Sequence, residues 1–403
     1  MYSVIVIYLL FYVAPCVILD ILQIRYIQEY AKREPVILNQ DDYQIAASYA
    51  LAKQKISIAS HLYDFVWLVF WLHIGINFLM TQCALMNLSD FGKDWLVLMS
   101  FLGANILLNA PFGILQRQID KEYGFNKQSF KEYCIDSIKG FILGAIFVGI
   151  LLAILLLVME MVELWWLVGF VLIFCSVILI QLVYPTLIAP MFNKFTPLQN
   201  ENLKQRIQNL MEVAGFKSNG IFVMDASKRD GRLNAYFGGL GSSKRVVLFD
   251  TLLDKISEDG LIAILGHELG HFKHRDILHN IIIVSFIMFL MFAITGLLFQ
   301  PLCVYLNFTP THSNILILAM LLLPVFTFFL KPIISYFSRK AEYRADEFGA
   351  SCATKEALRE ALIRLVNENK SFPYSHPAYI FFYYSHPPLI KRLKTLGWQN
   401  DRD

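Results

Sequence analysis

The sequence predicts a mainly α-helical membrane protein of seven spans with a polar segment between spans five and six, and three observations carry that prediction. Of its 403 residues, 56% are hydrophobic and only 17% charged, whereas soluble domains carry about a quarter charged residues. Apolar runs long enough to cross a bilayer recur at 2–22, 62–86, 95–115, 138–159, 165–190, 277–303 and 315–337. Lysine and arginine fall on alternate loops, with five in 23–61 and four in 116–137, against Lys93 alone in 87–94 and none in 160–164 or 304–314. The segment 191–276 has twelve and the tail after 337 has eleven. By the positive-inside rule, loops one, three and five and the C-terminus are cytoplasmic and the N-terminus lies outside. An odd number of spans is what that alternation requires.

Taken in order, the first run has no basic stretch before it and no small-residue cleavage site after it, so it reads as an uncleaved span rather than a signal peptide. Spans two and three carry His73 and Asn77, then Asn105, Asn109 and Pro111. Polar groups at that depth either hydrogen-bond between packed helices or line a water-filled interior, and the sequence leaves both open. The runs divide the chain into an N-terminal membrane region of five spans (1–190), a cytoplasmic segment (191–276), a transmembrane hairpin of spans six and seven (277–337) and a C-terminal cytoplasmic segment (338–403). Within the second unit, Gly220-Ile221-Phe222-Val223-Met224, Ala235-Tyr236-Phe237 and Val246-Val247-Leu248-Phe249 read as short strands, the last two joined by a Gly/Ser-rich turn. If the middle strand is an exposed edge, an extended peptide can add to it by backbone hydrogen bonds, with Asn234 clamping a peptide amide. The six cysteines, Cys16, Cys83, Cys134, Cys175, Cys303 and Cys352, show no C-x-x-C spacing, so they form neither a disulfide framework nor a zinc knuckle and take packing roles. A net charge of +3 is too small for a nucleic-acid partner. Membrane lipid and a substrate are the partners that remain.

The chemistry centres on Gly266-His267-Glu268-Leu269-Gly270-His271. Two histidines four apart share a helix face and can grip one zinc ion while Glu268 points at the water it holds. Ser257, followed by Glu258 and Asp259, is an ordinary helix start and supports that geometry. A catalytic zinc takes three protein ligands and keeps a fourth position for water. His274 lies on the same face, but seven residues at 1.5 Å rise put it about 10 Å from His267, too far for one straight helix to close a site. The hairpin of spans six and seven instead returns the chain to the cytoplasmic side at Ser338-Arg339-Lys340-Ala341-Glu342-Tyr343-Arg344-Ala345-Asp346. Glu342 is therefore the expected third ligand, and one Zn2+ per chain the expected cofactor. Asp346, one turn later, suits the acceptance of a ligating imidazole's free N–H.

Several further stretches carry a resemblance: Tyr123-Gly124-Phe125-Asn126, Ile188-Ala189-Pro190-Met191-Phe192-Asn193 with Pro197-Leu198, Ser227-Lys228-Arg229, Asn234-Ala235-Tyr236-Phe237, Val246 to Leu253, and Tyr384-Ser385-His386-Pro387-Pro388-Leu389-Ile390-Lys391-Arg392. With the H-E-x-x-H and S-R-x-x-E-x-x-A-D blocks, the chain resembles the CAAX prenyl protease 1 family of integral-membrane zinc metalloproteases (gluzincins), most densely from about residue 120 onward. The resemblance implies a barrel of seven tilted helices around a water-filled chamber, capped on the cytoplasmic side by a zincin-like domain with a small β-sheet, and peptide cleavage inside that enclosure. It also implies that His386 stabilises the transition state with Arg392 supporting the site, and it favours the use of Asn234, Ala235 and Tyr236 to hold substrate. His376-Pro377 repeats the His-Pro dipeptide without an arginine at the matching spacing. The short loop between spans six and seven, the end Asn400-Asp401-Arg402-Asp403 without a dilysine retrieval signal, and the loose match of the N-terminal third suggest a compact prokaryotic member. The expected location is then a bacterial inner membrane, or the endoplasmic reticulum in a eukaryote.

The resulting expectation is a membrane zinc endopeptidase in which Glu268 is the general base and passes the proton to the leaving amine. A prenylated C-terminus is one candidate substrate. Arg339 and the Lys228-Arg229 pair either meet a substrate carboxylate or form a solvated cytoplasmic face. Two alternatives stand beside this reading: a membrane-protein quality-control protease without prenyl dependence, and a transporter or peptide-binding protein with a structural zinc site. A structural site would be closed by four protein ligands and would give Glu268 no role.

Overall fold

The structure, a computed structural model, describes residues 1–238 and 244–399. The Gly/Ser-rich turn expected between the last two strands and the terminal Asn400-Asp401-Arg402-Asp403 lie outside the described residues. Seven helices are long and apolar enough to cross a membrane: Tyr2–Tyr30, Gln40–Ala84, Asp90–Glu122, Phe130–Met161, Trp165–Met191, Asp276–Tyr305 and His312–Cys352, referred to as spans one to seven. Each expected apolar run falls on one of them.

The helices outrun the apolar runs. Span two has 45 residues and span seven 41, which at 1.5 Å per residue is about 60 Å or more, roughly twice the hydrocarbon thickness. Hydropathy reads the depth in lipid, not the helix length, so most of the expected loop 23–61 is helix from Gln40 onward. Asn39 starts that helix, its Oδ1 accepting from the Asp42 N–H at 2.8 Å. Span seven likewise crosses the 337/338 boundary without a break and carries Glu342 and Asp346 on its protruding end. Spans one, two and five each contain a π-turn: Trp71–Gly75 has no proline, while Leu9–Val13 lies just before Pro15 and Tyr184–Ile188 around Pro185. A proline withholds an N–H and crowds the carbonyl four residues back, which opens the helix locally.

Tyr63 Oη donates to Leu108 O at 2.9 Å and Trp95 Nε1 to Gly149 O at 2.8 Å, bridging neighbouring spans, but the amides and imidazole singled out in spans two and three do not. Asn105 Nδ2 donates to Phe101 O at 2.8 Å, Asn109 Nδ2 to Asn105 O at 2.9 Å, and His73 Nδ1 lies 3.1 Å from Val69 O, each one turn back on its own helix. Little of the spans is buried: none of the most apolar stretch of span six, 6% of that of span five, and at most 44%, in span seven. Spans one, two, three, four, six and seven meet in one apolar cluster that includes Val13, Leu72, Leu98, Leu156, Cys303 and Leu318; most of the remaining apolar surface of the spans is left exposed.

Between spans five and six lies a sheet of β1 (Phe195–Pro197), β2 (Ile221–Met224), β3 (Ala235–Gly238) and β4 (Arg245–Phe249), ordered β1-β2-β4-β3. β2 runs parallel to β4, while β1 and β3 pair antiparallel with their neighbours. β1 was not anticipated: three residues ending in Pro197 show no alternation, and proline confines such a strand to an edge. Besides the short helical turn Asp250–Leu253, five longer helices complete the region among the described residues: α1 (Glu201–Val213), α2 (Glu258–Lys273), α3 (Lys355–Glu368), α4 (Pro377–Tyr383) and α5 (Leu389–Thr395). Leu261, Leu265 and Leu269, four apart on α2, pack with Ile207 and Leu210 of α1 and Val246 and Leu248 of β4. The region is fastened to the membrane helices by Arg232, which reaches Tyr49 Oη at 2.7 Å and Asp120 Oδ1 at 2.8 Å, and by Arg229, 3.0 Å from Asp136.

Candidate metal centre and active site

α2 and the end of span seven meet almost backbone to backbone. A Cβ placed on Gly349 would lie 2.7 Å from Ala263 O and 2.8 Å from His267 N, and one on Gly270 would lie 2.9 Å from Ala345 Cα. The glycines flanking the histidines thus form one side of a small-x-x-x-small seam, with Ala345 and Gly349 on the other. That approach brings Glu342 under both imidazoles. His267 Nε2 lies 3.5 Å from Glu342 Oε2 and His271 Nε2 lies 3.3 Å from Glu342 Oε1. One ligand atom from each of His267, His271 and Glu342 falls within 4.8 Å of the others.

Each imidazole is held from behind by an aspartate that is itself held by an arginine. His267 Nδ1 lies 2.9 Å from Asp346 Oδ1, and Arg392 grips Asp346 with Nε and Nη2 at 2.8 and 2.6 Å. His271 Nδ1 lies 3.1 Å from Asp276 Oδ2, whose other oxygen accepts from Arg344 Nη2 at 2.5 Å. The second pair was missed by sequence reasoning. Asp276 follows Arg275, whose φ of 56° breaks the helical period between α2 and span six. His274 caps the end of α2 and is exposed, outside the cluster.

The loop after α4 brings His386 in from the opposite side, Nε2 at 3.2 Å from Glu342 Oε1, with Ser385 Oγ 2.9 Å from its Nδ1. Glu268, half-buried beside the histidines, lines a cavity of about 200 Å³ together with Asn234, Ala235, His267, His386 and Arg392. A second cavity of about 510 Å³ adjoins it, sharing His386 and Arg392 and running past Phe372, Tyr384 and Leu389. Burial pushes the Glu268 carboxyl up, against the weaker pull of the His267 and His271 charges. Burial would lower the His271 imidazole, but Glu342 and Asp276 outweigh it and carry it up to about 9. His386 goes down, burial outweighing the pull of Glu342.

Not every expected site residue converges. β3 is an edge strand, and Asn234 and Ala235 open on the cavity, but Tyr236 points to the other face, against Phe249. Asn234 Oδ1 accepts from the Ala235 N–H at 2.9 Å. Asn369, which sequence reasoning also missed, pairs its amide with Leu233 N at 2.9 Å and Leu233 O at 3.3 Å and so fixes the entry to β3. Lys228 and Arg229 are paired with Asp225 and Asp136. Arg339 is occupied by main-chain carbonyls of the α4 turn, and His376 caps α4, its Nδ1 accepting from Ala378 N at 3.2 Å.

Residues 197–398 match peptidase family M48, and residues 23–194 match the CAAX prenyl protease N-terminal region of five membrane helices. The chain belongs to peptidase family M48. Over 92% of this peptidase and 90% of CAAX prenyl protease 1 from Saccharomyces cerevisiae, the two are 30% identical. The CAAX prenyl protease 1 homolog of Oryza sativa subsp. japonica is 32% identical over 72% of this chain and 70% of its own. The crystal structure of S. mikatae Ste24p matches it with a TM-score of 0.87 at 30% identity, covering 98% of both chains.

This M48 member is accordingly a multi-pass integral-membrane zinc metalloendopeptidase that acts on a peptide or protein substrate. A chamber between its spans is consistent with the likeness to Ste24p. The residues present fit the metal. Two imidazoles and one carboxylate are a gluzincin donor set, and Glu342 Oε2 is buried without a hydrogen-bond partner, as a ligand oxygen would be before its metal is added.

Proposed function

We propose that this M48 peptidase cleaves near the C-terminus of prenylated proteins, with the scissile bond held beside Glu268 inside the membrane-enclosed space. The observation that carries the catalytic part is the clustering of His267, His271, Glu342 and His386, with His267, Glu268 and His386 lining a cavity beside an edge strand. The substrate class is supported by the curated relatives named CAAX prenyl protease 1, similar over both the membrane region and the peptidase domain.

His267, His271 and Glu342 would hold zinc, which when bound lowers the pKa of a coordinated water and polarises a carbonyl. Glu268 takes the proton of the attacking water; its raised pKa brings it nearer the operating range of a general base that must also return the proton to the leaving amine. His386 donates through Nε2–H to the carbonyl oxygen as it gains charge, the Ser385 hydroxyl donating to Nδ1 and fixing that tautomer. Asp346 and Asp276 orient the two ligating imidazoles, and Arg392 holds Asp346 with a planar fork. An extended substrate pairs with the free side of β3, with Asn234 at its start. The charge asymmetry of the loops supports a site facing the cytoplasm.

The test is mass-spectrometric cleavage of two peptides identical except for a farnesylated cysteine. Cutting of the lipidated peptide alone is expected. Equal cutting of both would replace prenyl-protein processing with general membrane proteolysis.

A further inference from the structure

Arg339 is half-buried on span seven, and among the described residues no carboxylate lies within 4.0 Å of its guanidinium. Its partners are main-chain oxygens: Nη1 donates to Ile380 O at 3.0 Å and to Tyr384 O at 2.7 Å. Ile380 O already accepts from the Tyr384 N–H, closing the last turn of α4, and Tyr384 then leaves the helix with φ −87° and ψ 114°. The guanidinium therefore stitches the point at which the chain turns out of α4 towards His386, two residues on. Arg339 also stands three residues before Glu342 on the same helix, so one rigid element carries a metal ligand and the clamp on the opposing loop.

Everything else about α4 gives that clamp a fixed footing. Gln23 of span one accepts from Ser375 Oγ at 2.9 Å and His376 N at 2.8 Å at the start of α4. Gln54 of span two donates to Tyr379 Oη at 2.9 Å, and Phe328 of span seven stacks on Phe382 with ring centroids 4.7 Å apart. Beyond His386, Pro387 and Pro388 remove most of the remaining torsional freedom. The segment 384–386 is the short piece between a stitched helix end and a proline pair, its Tyr384 ring meeting Tyr379 edge-on at 6.0 Å. Loss of the stitch releases its main chain from span seven.

We infer that Arg339 is a positioning residue that sets the reach of His386 over Glu342 by holding the α4 turn to the helix that bears the ligand. This rests on the reading of His386 as the donor to the developing oxyanion. A misplacement of about 1 Å at a reacting group costs on the order of 100-fold in rate, so the effect belongs in kcat and not in metal or substrate binding.

The experiment is a double-mutant cycle on the full-length zinc enzyme in detergent, with wild type, Arg339→Gln, His386→Ala and the double variant, plus Arg339→Lys, and with zinc content measured for each. Expected are a fall in kcat of about 10- to 100-fold for Arg339→Gln with one zinc retained and KM little changed, partial recovery in Arg339→Lys, and no further loss when Arg339→Gln is added to His386→Ala. Additive losses, loss of zinc, or full activity of Arg339→Gln beside an impaired His386→Ala would each overturn the inference alone. Full activity of His386→Ala would overturn the role of His386, and the inference with it.

Discussion

His271 shows how the charges around the metal centre set its pH dependence. In the metal-free protein, burial works against protonation, yet Glu342 and Asp276 hold the imidazole pKa at about 9. Zinc needs the neutral ring, so loading below that value must expel a proton. Apparent zinc affinity should therefore rise about tenfold per pH unit between roughly pH 7 and pH 9 and flatten above it. A competition titration against a chelator measures this, and an affinity independent of pH over that range would contradict it. At this scale the sequence was legible wherever one helical period connected the residues. His267, Glu268 and His271 read from their spacing, and Asp346 from its place one turn after Glu342. Asp276 and Arg344 did not, because the left-handed Arg275 interrupts the period that would have related Asp276 to His271. His386 needed the family resemblance, since a His-Pro dipeptide also occurs at His376, where it only caps a helix.

The close crossing of α2 and span seven is the element on which metal geometry depends, and its glycines make it testable. A methyl group on Gly349 would press on Ala263 O and His267 N, so Gly349→Ala must part the two helices. Destabilisation of about 1–3 kcal/mol is the usual result of such overpacking, with weaker zinc retention because Glu342 moves away from both imidazoles. Thermal unfolding in detergent and zinc stoichiometry check both; an unchanged melting temperature together with full zinc content would show that the seam has slack. The apolar runs located the spans because lipid selects for them directly. They missed the helical extension from Gln40 because residues 40–61 lie outside the apolar stretch and carry charges that say nothing against helix. They missed β1 because three residues offer too little pattern.

Across the whole molecule, the hairpin of spans six and seven brings two distant stretches of chain together, and the loop charges predict one orientation for all seven spans. In a background lacking the native cysteines, a cysteine at Asn87 should react with an impermeant maleimide only from the non-cytoplasmic face of sealed membranes, and one at Lys217 only from the cytoplasmic face. The reverse pattern would invert the orientation. The chamber itself was legible only through the resemblance, because periodicity and composition describe single helices and not the space between them. Peptide cleavage with Glu268 as the base, at a site built by His267, His271 and Glu342, is tested by single-turnover cleavage of the farnesylated peptide by Glu268→Gln, with zinc stoichiometry measured on the same sample. One zinc per chain and a rate lower by about 10²- to 10⁴-fold, the usual contribution of a general base, are expected. A zinc-loaded Glu268→Gln enzyme cutting at the wild-type rate would contradict that role for Glu268.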